Sequence, residues 1–331
     1  MKEGKILIVG GAGYIGSQVN KLLNAYGQST IVFDNLSTGY KTNVKWGDLI
    51  IGDLSSRKSL DALFSNNHIV GVLHFAASAY VGESVKNPQK YYINNVVNTI
   101  NLIEAMKNHG VNNIVFSSSC AVYGTPLNLP ISENTPRNPI SPYGRTKDIV
   151  ENILEDYSKA YGINYVALRY FNAAGADKDY EIGECHDPET HLIPNVIYSA
   201  LGISPYITVY GNDYDTEDGS CVRDYIHVED LAEAHYLALI YLKKSLPSIS
   251  LNLGTGKGYS VLEIIHSVEE ISGLKIKIKF GERRLGDPPE LFADATLARK
   301  VLGWNAKYTS INEIVKTAWG WHSLKFNSNV N

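Results

Sequence analysis

Short, almost wholly apolar runs alternate with helical patterns through the first half of the chain. These strand-like runs are KILIV (5–9), TIVFD (30–34), DLIIG (48–52), VGVLHF (70–75), NIVFSS (113–118) and NYVALRY (164–170). Strands that lack a polar face are typical of parallel sheets covered by helices on both sides. The alternation therefore predicts an α/β fold with a Rossmann-type, doubly wound parallel sheet.

The alternation becomes irregular after about residue 172. Gly and Asp cluster at 175–187 and 211–219, and helical patterns are fewer. We predict a domain at residues 1–172 that carries the main sheet, and a smaller α/β domain at residues 173–331. The strand-like run SLNLG (250–254) is predicted to return to the main sheet, so the boundary is interleaved.

Composition excludes several classes of partner. The 331 residues carry a net charge of −4, so the chain lacks the basic excess that binds nucleic acid or anionic membranes. Its three cysteines, Cys120, Cys185 and Cys221, form no CxxC pair and give no disulfide framework. No apolar targeting segment precedes the first strand-like run. We therefore expect a cytoplasmic protein with no nucleic-acid or membrane partner.

A glycine-rich turn directly follows the first strand-like run. Its glycines are Gly10, Gly13 and Gly16, and a helical pattern starts within it. Such a turn lets backbone N–H groups approach a pyrophosphate at a helix N-terminus. Asp34 ends the second strand, where a carboxylate can accept hydrogen bonds from a ribose and would repel a 2′-phosphate. This arrangement predicts a dinucleotide site that favours NAD over NADP.

A tyrosine and a lysine stand four residues apart at the start of a later helical pattern. Tyr143 and Lys147 share one helical face, and a neighbouring cation is expected to lower the phenol pKa toward neutrality. The pair alone would also fit an exposed helix face. Ser119, however, leaves the carboxyl end of a predicted strand, the edge at which doubly wound folds bind ligands. Ser119, Tyr143 and Lys147 are therefore the candidate catalytic residues.

Longer motifs identify the chain as similar to a known family. They include GGAGYIG (10–16), FDNLSTG (33–39), SSSCAVYG (117–124), SPYGRTK (141–147), RYFNAAGA (169–176), GNDYDTEDGSCVRDYIHVEDLA (211–232) and RRLGDPPELFAD (283–294). The chain resembles extended short-chain dehydrogenases/reductases, specifically the UDP-glucose 4-epimerase (UDP-galactose 4-epimerase) family. The resemblance covers nearly the whole chain.

The resemblance implies a mechanism and a set of binding residues. Tyr143 would take the proton of the sugar 4-hydroxyl while NAD takes hydride from C4, Ser119 would bond the same oxygen, and Lys147 would hold the nicotinamide ribose. Besides these three and the glycines, it implies NAD contacts from Tyr14, Ile15, Asp34, Asn35, Leu36, Ser37, Thr38, Gly39, Asp53, Leu54, Phe75, Ala76, Ala77, Ser78, Asn94 and Phe171. Besides Ser119 and Tyr143, it implies UDP-sugar contacts from Asn172, His191, Leu192, Tyr210, Arg223, Arg284, Asp287 and Leu291.

The sugar preference stays open at this stage. Leu291 stands where strict glucose/galactose epimerases of the family have a bulky tyrosine, so we expect the pocket also to admit UDP-GlcNAc and UDP-GalNAc. A UDP-pentose (arabinose/xylose) 4-epimerase and a non-catalytic NAD-binding regulator are the alternatives. Cys120 and Ala121 replace the Asp-Glu pair of related dehydratases, which excludes that reaction.

Two further expectations concern metals and assembly. His186 and His191, with Asp187 and Glu189, match no common metal-site spacing, so no metal is expected. The resemblance implies a homodimer formed by helices at 89–109 and 147–161.

Overall fold

Seven parallel strands form the main sheet of the computed structural model, which describes residues 4–284 and 287–330, with side chains as far as residue 326. The strands are β1 (Lys5–Val9), β2 (Thr30–Asp34), β3 (Asp48–Ile51), β4 (Ile69–His74), β5 (Asn113–Ser119), β6 (Asn164–Tyr170) and β10 (Ile249–Leu253). Their order is β10-β6-β5-β4-β1-β2-β3. Leu285 and Gly286, within the RRLGDPPELFAD motif, lie outside the described residues.

Helices connect these strands and form the rest of the scaffold. They are α1 (Tyr14–Ala25), α2 (Arg57–Asn66), α3 (Val81–Lys86), α4 (Pro88–Tyr91), α5 (Asn98–Asn108), α6 (Pro142–Tyr161), α7 (Leu192–Ala200), α8 (Val228–Lys243), α9 (Val261–Ser272), α10 (Thr296–Leu302) and α11 (Ile311–Val330). A π-helical stretch, Tyr92–Val97, joins α4 to α5. No helix in the described part of the chain has the length and apolarity needed to cross a membrane.

Both faces of the main sheet are buried under helices. On one face, α2, α5 and α6 contribute Leu60, Leu102 and Val150 to the core. On the other face, α1 and α8 contribute Val19 and Leu239, and α10 closes the same layer. Burial of the inner strands explains their almost continuous apolar runs, whereas the edge strand β3 is only partly covered and leaves Ile51 exposed. The predicted Rossmann-type, doubly wound sheet is confirmed.

The remaining strands form a smaller unit beside the carboxyl edge of the main sheet. They are β7 (Asn172–Ala174), β8 (Ile207–Tyr210), β9 (Val222–His227), β11 (Gly258–Ser260), β12 (Ile278–Gly281) and β13 (Glu290–Leu291). Strand β9 pairs with β7, β11 and β13, while β8 pairs with β12. Helices α7, α9 and α11 share a separate core that includes Val196, Ile264 and Ile314.

The second half of the chain contributes more to the main sheet than the sequence indicated. Strand β10 joins it beside β6, as predicted. Helices α8 and α10 also cover one of its faces, although both lie within the predicted second domain, 173–331. Apolar spacing shows that a helix face is buried but not which partner buries it. The two halves of the chain are thus interleaved at the main sheet, and the division into domains near residue 172 stays a prediction.

Candidate active site

The glycine turn lies where β1 and β4 separate at the topological switch of the main sheet. The N–H groups of Phe75 and Ala76 both donate to the carbonyl of Val9, which holds the two strand ends together. Gly10 has φ +80°, and a Cβ there would lie 2.5 Å from the Ala76 nitrogen. A Cβ on Gly16 would lie 2.5 Å from the Gly10 carbonyl oxygen. Only glycine fits these two positions, as a backbone cradle for a ligand requires.

Helix α1 begins at this turn with features suited to a dinucleotide. Gly13 is its N-cap residue and has no side chain to bond the first-turn N–H groups, which leaves them for an anion. The buried carboxylate of Asp34 accepts from the Ala12 N–H at 3.0 Å and from the Leu36 N–H at 2.8 Å. A carboxylate fixed beside the glycine turn is suited to a ribose. These residues therefore fit NAD.

Further predicted cofactor residues line the same region. Asn35 donates to Asp53 at 2.6 Å, and hydrogen bonds from Ser55 and Asn35 lower the pKa of Asp53. Asn94 donates to the hydroxyl of Ser78 at 3.2 Å. A cavity of about 210 Å³ is lined by Leu36, Ser37, Thr38, Gly39, Tyr40, Tyr80, His186 and Asp187. The predicted cofactor loop 36–39 thus faces open space.

Other predicted cofactor residues are packed or engaged within the protein. The Tyr14 hydroxyl donates to the carbonyl of Gly175 at 2.6 Å. Leu54 and Phe171 are largely buried in apolar clusters. Ile15 is partly buried against the core beneath α1, and Ala77 is half-buried. Their contacts with a cofactor stay predictions.

The candidate catalytic residues meet between α6 and the end of β5. Ser141 caps α6 by accepting from the Gly144 N–H at 3.1 Å, and Pro142 starts the helix. Tyr143 and Lys147 then lie one turn apart. Ser119 ends β5 beneath them, and its hydroxyl accepts from the Ala121 N–H at 3.2 Å. The structure brings all three together, as predicted.

The expected lowering of the Tyr143 pKa does not occur in the chain alone. Burial raises this pKa well above its ordinary value of 10.0, and the neighbouring Tyr170 raises it further. A hydrogen bond with Ser119 acts in the opposite direction but is too weak to reverse the shift. The sequence prediction is wrong here because it considered only the neighbouring lysine, which would lower the tyrosine pKa. The burial of Tyr143, which raises this pKa, could not be predicted from the sequence.

Lys147 is itself affected by the same burial. Removal from water lowers its pKa from 10.5 to about 7, although the carboxylate of Glu151 raises it. Its ammonium donates to the carbonyl of Ser117 at 2.8 Å. Lys147 is therefore only partly protonated at neutral pH.

A buried charge network below Lys147 was missed by sequence reasoning. Glu151 lies one turn after Lys147 on α6 and accepts from the guanidinium of Arg169, with Nε at 2.9 Å from Oε1. Ser118 also donates to Glu151 at 2.5 Å, and Arg169 donates to the hydroxyl of Tyr123 at 2.7 Å. The available signal was a glutamate four residues after the lysine.

The predicted substrate arginines lie on the smaller unit. Arg223 of β9 forms an ion pair with Asp287, and its guanidinium also donates to the Val222 carbonyl at 2.7 Å. Arg284 is exposed, with its guanidinium 4.2 Å from the ring centroid of Tyr210. Two guanidinium groups at the open side of this unit are suited to a diphosphate.

Three further predicted substrate residues lie on β13, β7 and α7. Leu291 pairs in register with Arg223 and packs against the cluster that includes Phe171 and Cys120. Asn172 is exposed at the start of β7, and Leu192 is partly buried at the start of α7.

His191 has protein partners rather than a free ring. Its Nδ1 lies 2.7 Å from Glu184 Oε1 and 3.1 Å from Glu189 Oε1. The prediction that it contacts the substrate stays a prediction. Glu184, which completes this cluster, was not among the sequence candidates, where Asp187 stood in its place.

Comparisons with known proteins agree with this geometry. The sequence model of the NAD dependent epimerase/dehydratase family matches residues 6–254. A UDP-glucose 4-epimerase of Rhizobium meliloti is 49% identical over 325 residues, which cover 98% of this chain and 99% of the relative.

Solved structures are similar over the same extent. UDP-glucose 4-epimerase from Brucella ovis, in complex with NAD, is 51% identical with a TM-score of 0.94, covering 96% of this chain and 98% of that one. The UDP-Glc/GlcNAc 4-epimerase from Campylobacter jejuni is 42% identical with a TM-score of 0.85, covering 97% and 99%.

Proposed function

Because the chain belongs to the NAD dependent epimerase/dehydratase family, we propose that it interconverts UDP-galactose and UDP-glucose by inverting C4 of the sugar with NAD as cofactor. The observation that carries this proposal is the junction of Ser119, Tyr143 and Lys147 beside the glycine turn. A hydroxyl, a phenol and an amine there are suited to moving a proton at one sugar oxygen.

The cofactor is held by the elements at the switch point of the main sheet. The glycine turn and the start of α1 take the pyrophosphate, and Asp34 takes the adenosine ribose. Bound NAD would supply a hydride acceptor and donor for C4 of the sugar and a positively charged nicotinamide beside Tyr143 and Lys147.

The residues of this chain manage the proton of the 4-hydroxyl. Tyr143 accepts it as phenolate and later returns it, while Ser119 holds the same oxygen in place. Burial keeps water out but raises the Tyr143 pKa, so the phenolate needs added positive charge. Lys147, turned from the Ser117 carbonyl toward a bound ribose, would supply part of that charge.

The uridine diphosphate is anchored remotely from the reacting carbon. Arg223 and Arg284 are the diphosphate-binding candidates, with Asp287 and Tyr210 orienting their guanidinium groups. An anchor on the nucleotide leaves the sugar free to turn over between the two hydride transfers, as inversion requires. Asn172, Leu192 and Leu291 are proposed to line the sugar pocket.

The pocket is proposed also to accept the 2-acetamido sugars UDP-GlcNAc and UDP-GalNAc. Leu291 lies on β13 beside Arg223 and lacks the bulk of a tyrosine. The Campylobacter jejuni relative, named as a UDP-Glc/GlcNAc 4-epimerase, supports this extension. The UDP-pentose and regulator alternatives are not favoured by the comparisons.

We further propose that the enzyme is a cytoplasmic homodimer. Ile93, Val97 and Tyr161 are exposed apolar residues within the two helical segments expected to pair. A second copy of the chain would cover them, and light scattering of a Val97→Glu variant would then report a monomer. The three free cysteines fit a reducing compartment.

Proton NMR tests the proposed reaction. Purified protein is incubated with UDP-galactose, then separately with UDP-GalNAc, and without added NAD. Anomeric signals of UDP-glucose would support epimerisation with retained cofactor, and UDP-GlcNAc signals would support the wider pocket. Tyr143→Phe should lower kcat by about 10²–10⁴-fold, while Tyr26→Phe, at an exposed tyrosine, should not. Absence of turnover even after NAD is added would contradict the proposal.

A further inference from the structure

Four potential metal ligands converge in the loop between β7 and α7. They are Glu184, His186, Glu189 and His191, and one donor atom from each lies within 4.8 Å of all the others. Glu184 is almost wholly buried, and the side chain of Glu189 is only 5% exposed. Two carboxylates and two imidazoles thus face one point.

The cluster contains buried polar atoms with no hydrogen-bond partner. Of seven such atoms among the described residues, three are Glu184 Oε1, His186 Nδ1 and Glu189 Oε2. Each atom lies in a histidine–carboxylate ion pair, as Glu184 Oε1 does with His191 Nδ1 at 2.7 Å, but none of the three has a hydrogen bond of good geometry. Buried polar atoms without hydrogen bonds are costly, and several that face one centre are typical of a site that binds an ion or a water molecule.

The spacing of the donor atoms fits a tetrahedral ion. Ligands about 2.0–2.2 Å from a tetrahedral Zn²⁺ lie about 3.3–3.6 Å from each other. His186 Nδ1 lies 3.2 Å from Glu184 Oε1 and 3.6 Å from Glu189 Oε2. His191 Nδ1 lies 2.7 Å and 3.1 Å from the same two carboxylates. Three of these distances lie within about 0.3 Å of the tetrahedral edge, whereas the 2.7 Å distance is that of a direct histidine–carboxylate contact.

Another cluster of carboxylates in this protein has a lysine that balances its charge. Asp177, Asp179 and Glu181 also converge, but the Lys21 ammonium lies at their centre, 2.8, 3.0 and 2.7 Å from their oxygens. No lysine or arginine occupies the centre of the histidine cluster among the described contacts. Its positive charge must come from protonated histidines or from a bound cation.

We propose that Glu184, His186, Glu189 and His191 bind a divalent cation of the Zn²⁺ type. Two nitrogen and two oxygen donors suit such a borderline ion. The chain supplies four ligands, so the site is closed and structural rather than catalytic. His186 borders the cavity of about 210 Å³ and His191 is half-exposed, which gives the ion a path in.

The site would stabilise the loop against the cofactor-binding elements. The His186 ring meets the rings of Tyr14 and Tyr80 edge-on, with centroids 6.4 and 6.1 Å apart. The indole of Trp321, on α11, donates to the Glu184 carbonyl at 2.9 Å. A bound ion would therefore tie α11 and the start of α7 to the first residue of α1. This role is independent of the proposed reaction.

Metal titration of the chelator-stripped full chain tests the proposal. Zn²⁺ is titrated calorimetrically, and Co²⁺ is titrated with its visible absorption recorded. We expect one ion per chain, tetrahedral-type Co²⁺ bands that Zn²⁺ abolishes, and a higher melting temperature with Zn²⁺. Glu184→Gln and His186→Gln should weaken binding at least about tenfold, whereas His68→Gln, at an exposed histidine, should leave it unchanged.

Two outcomes would overturn the proposal. The first is that the wild-type chain binds no ion in a one-to-one ratio. The second is that the Glu184→Gln and His186→Gln variants bind Zn²⁺ as tightly as the wild type does. Either result would leave an ion-pair cluster of histidinium and carboxylate groups. The wild-type Co²⁺ spectrum decides the question even if a variant fails to fold. Turnover of UDP-galactose, measured in parallel, separates this outcome from failure of the proposed function.

Discussion

The Lys147 ammonium donates to the Ser117 carbonyl at 2.8 Å and lies 5.8 Å from the ring centroid of Tyr143. Lys147 is thus hydrogen-bonded to strand β5, and Tyr143 lies one turn before it on α6. Burial disfavours charge on both groups. The chain alone therefore favours a neutral tyrosine, and the proposed mechanism requires the bound cofactor to provide additional positive charge.

The buried amine predicts a pH-dependent stability difference in the NAD-free protein. The Lys147 pKa falls from 10.5 to about 7 on folding, so unfolding takes up a proton between these values. Wild-type stability then rises with pH across this window relative to Lys147→Met. We expect the variant to gain most in melting temperature at about pH 6 and less at about pH 9. A gain that grows with pH would contradict the lowered pKa.

The glycine turn predicts a specific loss of cofactor binding. Gly16→Ala places a Cβ 2.5 Å from the Gly10 carbonyl oxygen, so the turn must shift. We expect NAD affinity to fall at least about tenfold, because the turn no longer fits closely against the pyrophosphate. Gly82→Ala, where a Cβ meets nothing within 4 Å, is the matched control. Fluorescence titration with NAD, with circular dichroism to check folding, makes the comparison.

The ion pair below Lys147 predicts a large stability loss. Glu151→Ala leaves the buried Arg169 guanidinium without its carboxylate, at a cost of about 3–5 kcal/mol in unfolding free energy. Glu155→Ala removes an exposed carboxylate one turn later, paired with Lys159, and should cost less than about 1 kcal/mol. Urea denaturation measures both. Equal losses for the two variants would show that burial of the pair does not matter.

The sugar pocket predicts a change of specificity at one residue. Leu291→Tyr adds bulk beside Arg223 and should lower kcat/KM for UDP-GalNAc relative to UDP-galactose by about 10–200-fold. Leu127→Tyr, at an exposed leucine, should leave this ratio unchanged. Coupled or NMR-based rate measurements on both substrates give the ratio. An unchanged ratio in Leu291→Tyr would exclude this residue as the wall of the pocket.

The sequence predicted the main sheet well because its strands are local apolar runs. The β1 and β2 bounds match the runs at 5–9 and 30–34, and β10 returns to the sheet as expected. The packing of α8 on the main sheet could not be predicted from a local apolar pattern. Its apolar face requires a partner, but the partner lies far away in the chain.

The sequence predicted which candidate catalytic residues lie together but not the pKa shifts that burial gives them. The spacing of Tyr143 and Lys147 fixes them on one helix face, whereas their burial depends on every element packed above them. Similarly, the sequence spacing of His186 and His191 did not predict the metal site proposed above. Only the fold brings Glu184 to their Nδ1 atoms.

The fate of hydrogen at C4 tests the proposed mechanism most directly. UDP-galactose carrying deuterium at C4 is incubated with the enzyme in ordinary water, and the UDP-glucose formed is analysed by NMR and mass spectrometry. Because a hydride that stays within the buried site does not exchange with water, we predict that the product keeps its deuterium at C4. Loss of deuterium to solvent would contradict hydride transfer through a retained cofactor and would require a different way of inverting this carbon.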